Sequence, residues 1–171
     1  LLVFFIKFND MIKYLRYYIS TLTLILGIYL CLAVRNGPTI LFLGFSLLII
    51  LGDILISEED SEFEYSYPFL LNLPMYINLP LLVLFLSMTI SLLSQSASQN
   101  NLLFSYLNIN FNKIGQLYNL FDKVSLVAIS SLFIGIMGTV PGHELVHRKK
   151  NKFDMFIGNW LLSLSWDCAF A

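Results

Sequence analysis

Residues 120–150 read LFDKVSLVAISSLFIGIMGTVPGHELVHRKK, and this stretch carries the strongest structural signal in the chain. Its first part, about Leu120 to Val140, is apolar and long enough to cross the roughly 30 Å hydrocarbon core of a bilayer as an α-helix. The apolar part ends at Pro141-Gly142, and the basic residues Arg148-Lys149-Lys150 follow a few positions later. Basic residues beside an apolar block are typical of the cytoplasmic end of a membrane helix.

The composition of the whole chain supports the same class. Of the 171 residues, 57% are hydrophobic and 12% are charged, whereas soluble domains carry about 25% charged residues. We therefore predict an all-α integral membrane protein. The net charge is −1 and no basic surface with interleaved aromatics is present, which argues against nucleic acid as a partner. Cys31 and Cys168 are interpreted as small buried hydrophobes rather than as a disulfide framework or a zinc ribbon.

Three further apolar blocks precede residue 120, so we predict about four transmembrane helices in a single membrane domain, residues 1–171. The predicted crossings lie at about residues 17–34, 38–56, 79–94 and 120–140. Arg35-Asn36-Gly37-Pro38 predicts a tight turn between the first two, because glycine can adopt positive φ and proline can begin the next helix. Pro74 and Pro80 are expected to kink the third apolar block.

Three segments are predicted to lie on the membrane surface. Residues 7–16 are basic and amphipathic, and residues 94–112 combine polar residues with apolar ones at helical spacing. Residues 142–171 are expected to lie under the cytoplasmic surface, because a fifth crossing would carry later ligands roughly 30 Å away from His143 and His147. One face of this last helix is predicted to contain Phe153, Phe156, Ile157, Trp160, Leu161 and Leu164, and another to contain Asn159, Ser163 and Trp166.

The basic residues predict the orientation of the helices. Cytoplasmic flanks carry an excess of Lys and Arg, whereas acidic residues count for little. With the N-terminus inside, seven of the ten basic residues are cytoplasmic, and His143 and His147 lie on that side too. The seven are Lys7, Lys13, Arg16, Arg148, Lys149, Lys150 and Lys152.

The only two histidines of the chain, His143 and His147, are four residues apart. On a helix such residues lie on one face with Cβ atoms about 5–6 Å apart, so both imidazoles can converge on one metal ion or on adjacent ions. Imidazole is the commonest protein ligand of metals such as iron and zinc. We therefore predict that His143 and His147 are metal ligands. Two unrelated histidines at a membrane surface are the alternative.

The sequence His143-Glu144-x-x-His147 also matches the zinc-protease motif, in which the glutamate is a general base. Glu144 has two other possible roles: it can offset Arg148, its i+4 neighbour, or it can hydrogen-bond a ligating imidazole. We favour one of these supporting roles over the general base.

Two acidic features need interpretation. Asp53 lies within the second apolar block, where a carboxylate is costly and often functional, so it is a candidate for a supporting role near the metal; hydration at the helix end is the simpler explanation. A cluster of acidic residues follows that block and is interpreted as a solvated face that could help to dock a basic partner. The cluster comprises Glu58, Glu59, Asp60, Glu62 and Glu64.

The run Gly142-His143-Glu144-Leu145-Val146-His147-Arg148-Lys149, placed after four predicted crossings, resembles the first histidine box of the integral-membrane alkane monooxygenases, relatives of the membrane fatty-acid desaturases. The downstream residues Phe153-Asp154-x-Phe156-Ile157-Gly158-Asn159-x-Leu161-Leu162 and Ala169-Phe170-Ala171 are similar to that family's path toward a second box. The resemblance is specific from about Gly142 onward. It implies two iron ions in a non-haem di-iron site held mainly by histidines.

The resemblance further implies hydroxylation of the terminal carbon of an alkane or alkyl chain, with dioxygen and with electrons from a rubredoxin-like protein. The expected location is the bacterial inner membrane, with the histidine box on the cytoplasmic side. The chain starts at Leu1, and no signal for the end of a helix occurs in Trp166 to Ala171, so we expect a fragment that is inactive alone and whose remaining ligands follow residue 171. The alternatives are a membrane fatty-acid desaturase, a membrane zinc protease and a non-catalytic membrane protein.

Overall fold

The computed structural model describes residues 14–55, 68–94 and 109–166. Within these ranges the regular secondary structure is helical, with no strand, which confirms the predicted all-α class. Tyr14 and Leu15 are helical, and a 3-10 turn at Arg16–Tyr18 follows them and leads directly into the first helix. The helices that follow are α1 (Ile19–Ala33), α2 (Gly37–Leu55), α3 (Pro68–Leu93), α4 (Phe111–Gln116), α5 (Leu120–Phe133), a π-helical segment (Ile134–Thr139), α6 (Val140–His147) and α7 (Lys152–Ser163).

Three helical stretches in the described residues are long and apolar enough to cross a membrane, namely Gly37–Ile54, Phe69–Leu93 and Leu120–His147. They correspond to the second, third and fourth predicted crossings. Helix α1 has 15 residues and is therefore about 22 Å long, which is less than the roughly 30 Å of a hydrocarbon core. Length and composition thus support three crossings of the four predicted, and they are compatible with a membrane protein.

Two helices extend further than the predicted crossings. Helix α3 begins at Pro68 rather than near Leu79, and it continues through Pro74 and Pro80. The fourth helical stretch continues past Val140 as far as His147. Pro141 is the second residue of α6 and directly follows the π-helical segment, where the hydrogen-bonding pattern of the helix already departs from that of a regular α-helix. Several predicted features lie outside the described residues: the basic segment before Tyr14, the acidic cluster, most of 94–112, Cys168, and Ala169-Phe170-Ala171.

The chain divides into two compact units. The first unit contains the described parts of Leu1–Ile25, Glu62–Leu82 and Phe133–Ala171, and it includes both histidines. The second unit contains the described parts of Leu26–Ser61 and Val83–Leu132.

In the second unit, the predicted turn between α1 and α2 is confirmed. The N–H of Gly37 donates to the carbonyl of Val34 at 3.0 Å. Gly37 does not have positive φ, contrary to the expectation; a Cβ there would instead lie 2.0 Å from the carbonyl oxygen of Leu30. The close approach of two helix backbones, which leaves no room for a Cβ, therefore explains why residue 37 is glycine. Cys31 is fully buried as predicted, and its carbonyl accepts a hydrogen bond from the hydroxyl of Tyr118.

Helix α5 of the second unit begins with reciprocal capping. The side chain of Asn119 accepts from the N–H of Asp122 at 2.8 Å, and the carboxylate of Asp122 accepts from the N–H of Asn119 at 3.2 Å. The hydroxyl of Thr39 donates to the same carboxylate at 2.6 Å. Asp122 is buried, and these bonds compensate its lost hydration, since a buried carboxylate must be hydrogen-bonded.

Candidate metal centre

The two histidines of α6 approach each other as predicted. The Nε2 atoms of His143 and His147 lie 3.0 Å apart. The ring centroids are 4.5 Å apart and the planes meet at 82°, and both side chains are exposed. Two nitrogens that bind one ion at about 2.1 Å on perpendicular positions are about 3.0 Å apart. The pair therefore has the spacing of two neighbouring ligands of a single ion.

The pair supplies only part of a complete coordination sphere. Within the described residues, no group of three or more His, Cys, Asp or Glu side chains is arranged to hold a metal ion. Structural and catalytic sites for zinc and iron use at least three protein ligands. The two imidazoles thus have the spacing to supply two of the ligands of a metal ion.

The π-helical segment sets the face on which the pair lies. The N–H of Val140 donates to the carbonyl of Gly135, five residues back, and the hydroxyl of Thr139 donates to the carbonyl of Ile134 at 3.3 Å. A π segment changes the number of residues per turn, so the side chains of α6 are rotated relative to a continuous α-helix. Such segments are frequent at functional sites. The sequence contains Gly135 and Gly138 in this region, but it did not predict a π-helical segment.

A close contact between glycines holds α6 against α7 beside the pair. A Cβ on Gly158 would lie 2.8 Å from the carbonyl oxygen of Gly142 and 2.9 Å from the backbone nitrogen of Val146. A Cβ on Gly142 would lie 3.0 Å from the Cβ of Leu161. Only glycines allow the two backbones to approach so closely, and His143 is the next residue along α6.

Arg148 connects the end of α6 to two other helices. Its guanidinium donates to Glu144, one turn earlier, and to the side-chain oxygen of Asn72 on α3 at 2.8 Å. It also forms an ion pair with Asp154 on α7 at 3.5 Å. Partial burial lowers the pKa of Arg148, but the hydrogen bond and charge of Glu144 and the charge of Asp154 outweigh this effect and raise it. Arg148 therefore stays charged and ties together α3, α6 and α7.

Asp154 is the buried end of this network. The residue is 3% exposed, and its carboxylate accepts a hydrogen bond of 2.6 Å from the hydroxyl of Tyr76. Asn151 caps α7 by accepting from the backbone N–H groups of Phe153 and Asp154. Asp154 thus lies in the first turn, where a negative charge is favoured by the helix dipole.

Glu144 acts as the partner of Arg148, one of the supporting roles that the sequence favoured. One oxygen of its exposed carboxylate, Oε1, accepts from the guanidinium of Arg148. This arrangement weakens the interpretation of the motif as a zinc-protease signature, because a general base must be within hydrogen-bonding reach of the water it activates.

An apolar cavity of about 180 Å³ adjoins the histidine helix inside the first unit. Its walls come from Tyr17 and Ser20, from α3, from the π-helical segment and from α6, of which Glu144 lines the cavity whereas His143 and His147 do not. Asn78 adds a polar group, but its side chain is engaged with Thr21 at 2.8 Å and with Ser20 at 3.2 Å. The apolar wall includes Leu71, Pro74, Met75, Met137, Val140 and Pro141.

Asp53 is exposed near the end of α2 and belongs to the second unit, so its suggested role near the metal stays a prediction. Sequence reasoning did not identify Asp154, Asn72 and Tyr76 as parts of the site. Asn151 followed by Asp154 three residues later is a recognisable helix-start pattern, and it could have located Asp154. The spacing of Asn72 and Tyr76 carries no comparable signal, because their importance depends on the helix opposite.

Comparisons of the chain with models of protein families, with curated proteins and with solved structures found no match.

Proposed function

We propose that this chain contributes His143 and His147 to the non-haem di-iron centre of a membrane-bound monooxygenase that hydroxylates the terminal carbon of alkanes or alkyl chains. The observation that carries the proposal is the 3.0 Å approach of the two exposed Nε2 atoms. An apolar cavity borders the same helix at Glu144, although neither histidine lines it. We place the histidines on the cytoplasmic side of a bacterial inner membrane, because the basic residues cluster on their side of the predicted topology.

The reaction consumes one dioxygen molecule, two electrons and two protons, and it converts R–CH3 to R–CH2–OH and water. The iron ions supply dioxygen activation when bound, and a rubredoxin-like protein supplies the electrons. An alkyl chain offers little besides apolar area for binding, at about 0.8 kcal/mol per buried methylene. The cavity beside Glu144 provides apolar walls for such a chain.

The residues around the pair support the end of α6. Arg148 forms an ion pair with Glu144, which favours a supporting role for this carboxylate. Asp154 and Asn72 hold Arg148 in turn. Because rigid partners of a metal-binding segment orient its ligands, this network fixes the end of α6 on which His147 lies.

The proposal is tested on the complete gene product in membranes supplied with a reduced electron donor. We expect about two iron ions per chain, and one labelled oxygen atom from 18O2 in the alcohol formed from a linear alkane. His143→Ala and His147→Ala should lower the iron content and abolish product formation. Val124→Ala, which changes an exposed side chain of α5, is the matched control and should retain the iron content and the product formation of the parent protein.

The same experiment separates the alternatives. An alkene without incorporated oxygen would indicate a desaturase that uses the same histidine box. Stoichiometric zinc, together with a peptidase activity that Glu144→Gln removes, would overturn the proposal in favour of a membrane protease. Wild-type metal content in both histidine variants would exclude the pair as ligands.

A further inference from the structure

Helix α7 has two apolar faces, and only one of them is covered. Ile157, Leu161 and Leu162 are buried, and Gly158 contacts α6. Phe153, Phe156 and Trp160 instead form a partly exposed aromatic stripe, with exposed fractions of 55%, 57% and 53%. The ring of Phe153 also packs edge-to-face against Tyr76 of α3, with the centroids 5.2 Å apart. The residues predicted to share one face therefore differ in burial: the aromatics are largely exposed, whereas Ile157 and Leu161 are buried where α7 packs against α6.

The aromatic stripe has polar and basic residues around it. Lys149 and Lys150 lie in the turn before α7, Lys152 begins the helix, and all three are exposed. At 100° per residue, Lys152, Asn159 and Ser163 fall on one side of the stripe, and each is exposed. Both tryptophans of the chain are also here and exposed, Trp166 to 91%.

We propose that α7 and the turn before it bind the surface of an anionic bilayer. The aromatic stripe enters the boundary between headgroups and acyl chains, and Lys149, Lys150 and Lys152 lie against lipid phosphates. Trp with neighbouring Lys is the composition of helices that lie in this interface. Each lysine near an anionic surface contributes about 1 kcal/mol, or roughly a fivefold factor in binding.

The rest of the chain favours lipid over a partner protein as the surface that covers the aromatic stripe. Three other helical stretches are of membrane-crossing length and composition, so a bilayer lies within reach of α7. The helix has 12 residues and is therefore about 18 Å long, too short to cross the roughly 30 Å hydrocarbon core. The basic turn matches the negative charge of anionic headgroups. This inference does not depend on the metal or on the proposed reaction.

The first experiment measures the depth of Trp160. Trp166 and any tryptophan outside residues 1–171 are replaced by Phe, so that Trp160 is the only tryptophan. The protein is reconstituted into phosphatidylcholine vesicles containing phosphatidylglycerol. Phosphatidylcholines that carry bromine near the headgroup, in mid-chain or near the terminal methyl quench a tryptophan at their own depth. We expect the strongest quenching by bromine near the headgroup. Strongest quenching near the terminal methyl would show insertion across the bilayer, and absence of quenching would show a face covered by protein or water; either result overturns the proposal.

The second experiment tests whether the three lysines attract anionic lipid to α7. At equal bromine content, we expect brominated phosphatidylglycerol to quench Trp160 more than brominated phosphatidylcholine does. The triple variant Lys149→Gln, Lys150→Gln, Lys152→Gln should lower this ratio toward one. The variant Lys113→Gln, Lys123→Gln changes lysines of the second unit and should retain it. Equal quenching by both lipids in the parent protein would overturn the anionic part of the proposal. Gel filtration in detergent checks that every variant is folded.

Discussion

At the scale of single residues, the buried carboxylate of Asp154 is the feature that depends most on its neighbours. A buried charge is tolerated only when it is paired and hydrogen-bonded. Asp154 satisfies both conditions through Arg148 and Tyr76, and Arg148 in turn is adjacent to His147. The pairing therefore helps to hold the end of α6, where His147 lies.

Replacing Asp154 by alanine should destabilise the protein by about 2 kcal/mol, because Arg148 and the hydroxyl of Tyr76 lose a buried partner. Unfolding in mixed detergent and dodecyl sulfate micelles measures the change. Asp53→Ala, at an exposed carboxylate of α2, is the matched control and should change stability by less than about 0.5 kcal/mol. Equal effects of the two substitutions would contradict the role given to the ion pair.

At the scale of elements, the crossing of α6 and α7 is the contact that positions the histidines. The two helices pack through Gly142 and Gly158, and the turn at Arg148–Asn151 reverses the chain within a few residues. At this distance the two backbones are in van der Waals contact, and such close packing through small residues contributes to the association of the two helices.

Substitution of Gly158 by alanine should push α7 away from α6, because the added Cβ meets backbone atoms that cannot rotate aside. We expect a loss of about 1–3 kcal/mol, as for other overpacked sites, and weaker metal binding by His143 and His147. Gly44→Ala is the control, since nothing lies within 4 Å of a Cβ there and alanine favours a helix by up to about 1 kcal/mol. If Gly158→Ala were as stable as the parent protein, the close crossing would be wrong.

At the scale of the whole molecule, the number of crossings depends on α1. Three helical stretches of the described residues have the required length, whereas α1 has 15 residues. A short helix can still cross where the bilayer thins locally or where flanking residues reach the interface. The side of the membrane on which Arg35 lies therefore distinguishes four crossings from three.

Labelling of single cysteines in a Cys31→Ala, Cys168→Ala background tests the topology. We expect Arg35→Cys to react with a membrane-impermeant maleimide from outside intact cells, and Lys150→Cys to react only after the membrane is opened. These results follow if α1 crosses and basic residues are retained in the cytoplasm. Reaction of Lys150→Cys in intact cells would place the histidine pair outside and exclude a cytoplasmic electron donor.

The sequence by itself determined what depends on local spacing. Helical class and three membrane-length stretches follow from apolar block length, and the approach of His143 to His147 and of Glu144 to Arg148 follows from the i+4 repeat of a helix. Tertiary structure alone decided that Asp154 is buried, that Gly142 meets Gly158, and that the aromatics of α7 face outward. The physical reason is that lipid and protein interior are equally apolar, so hydrophobicity cannot tell which face of a helix another helix covers.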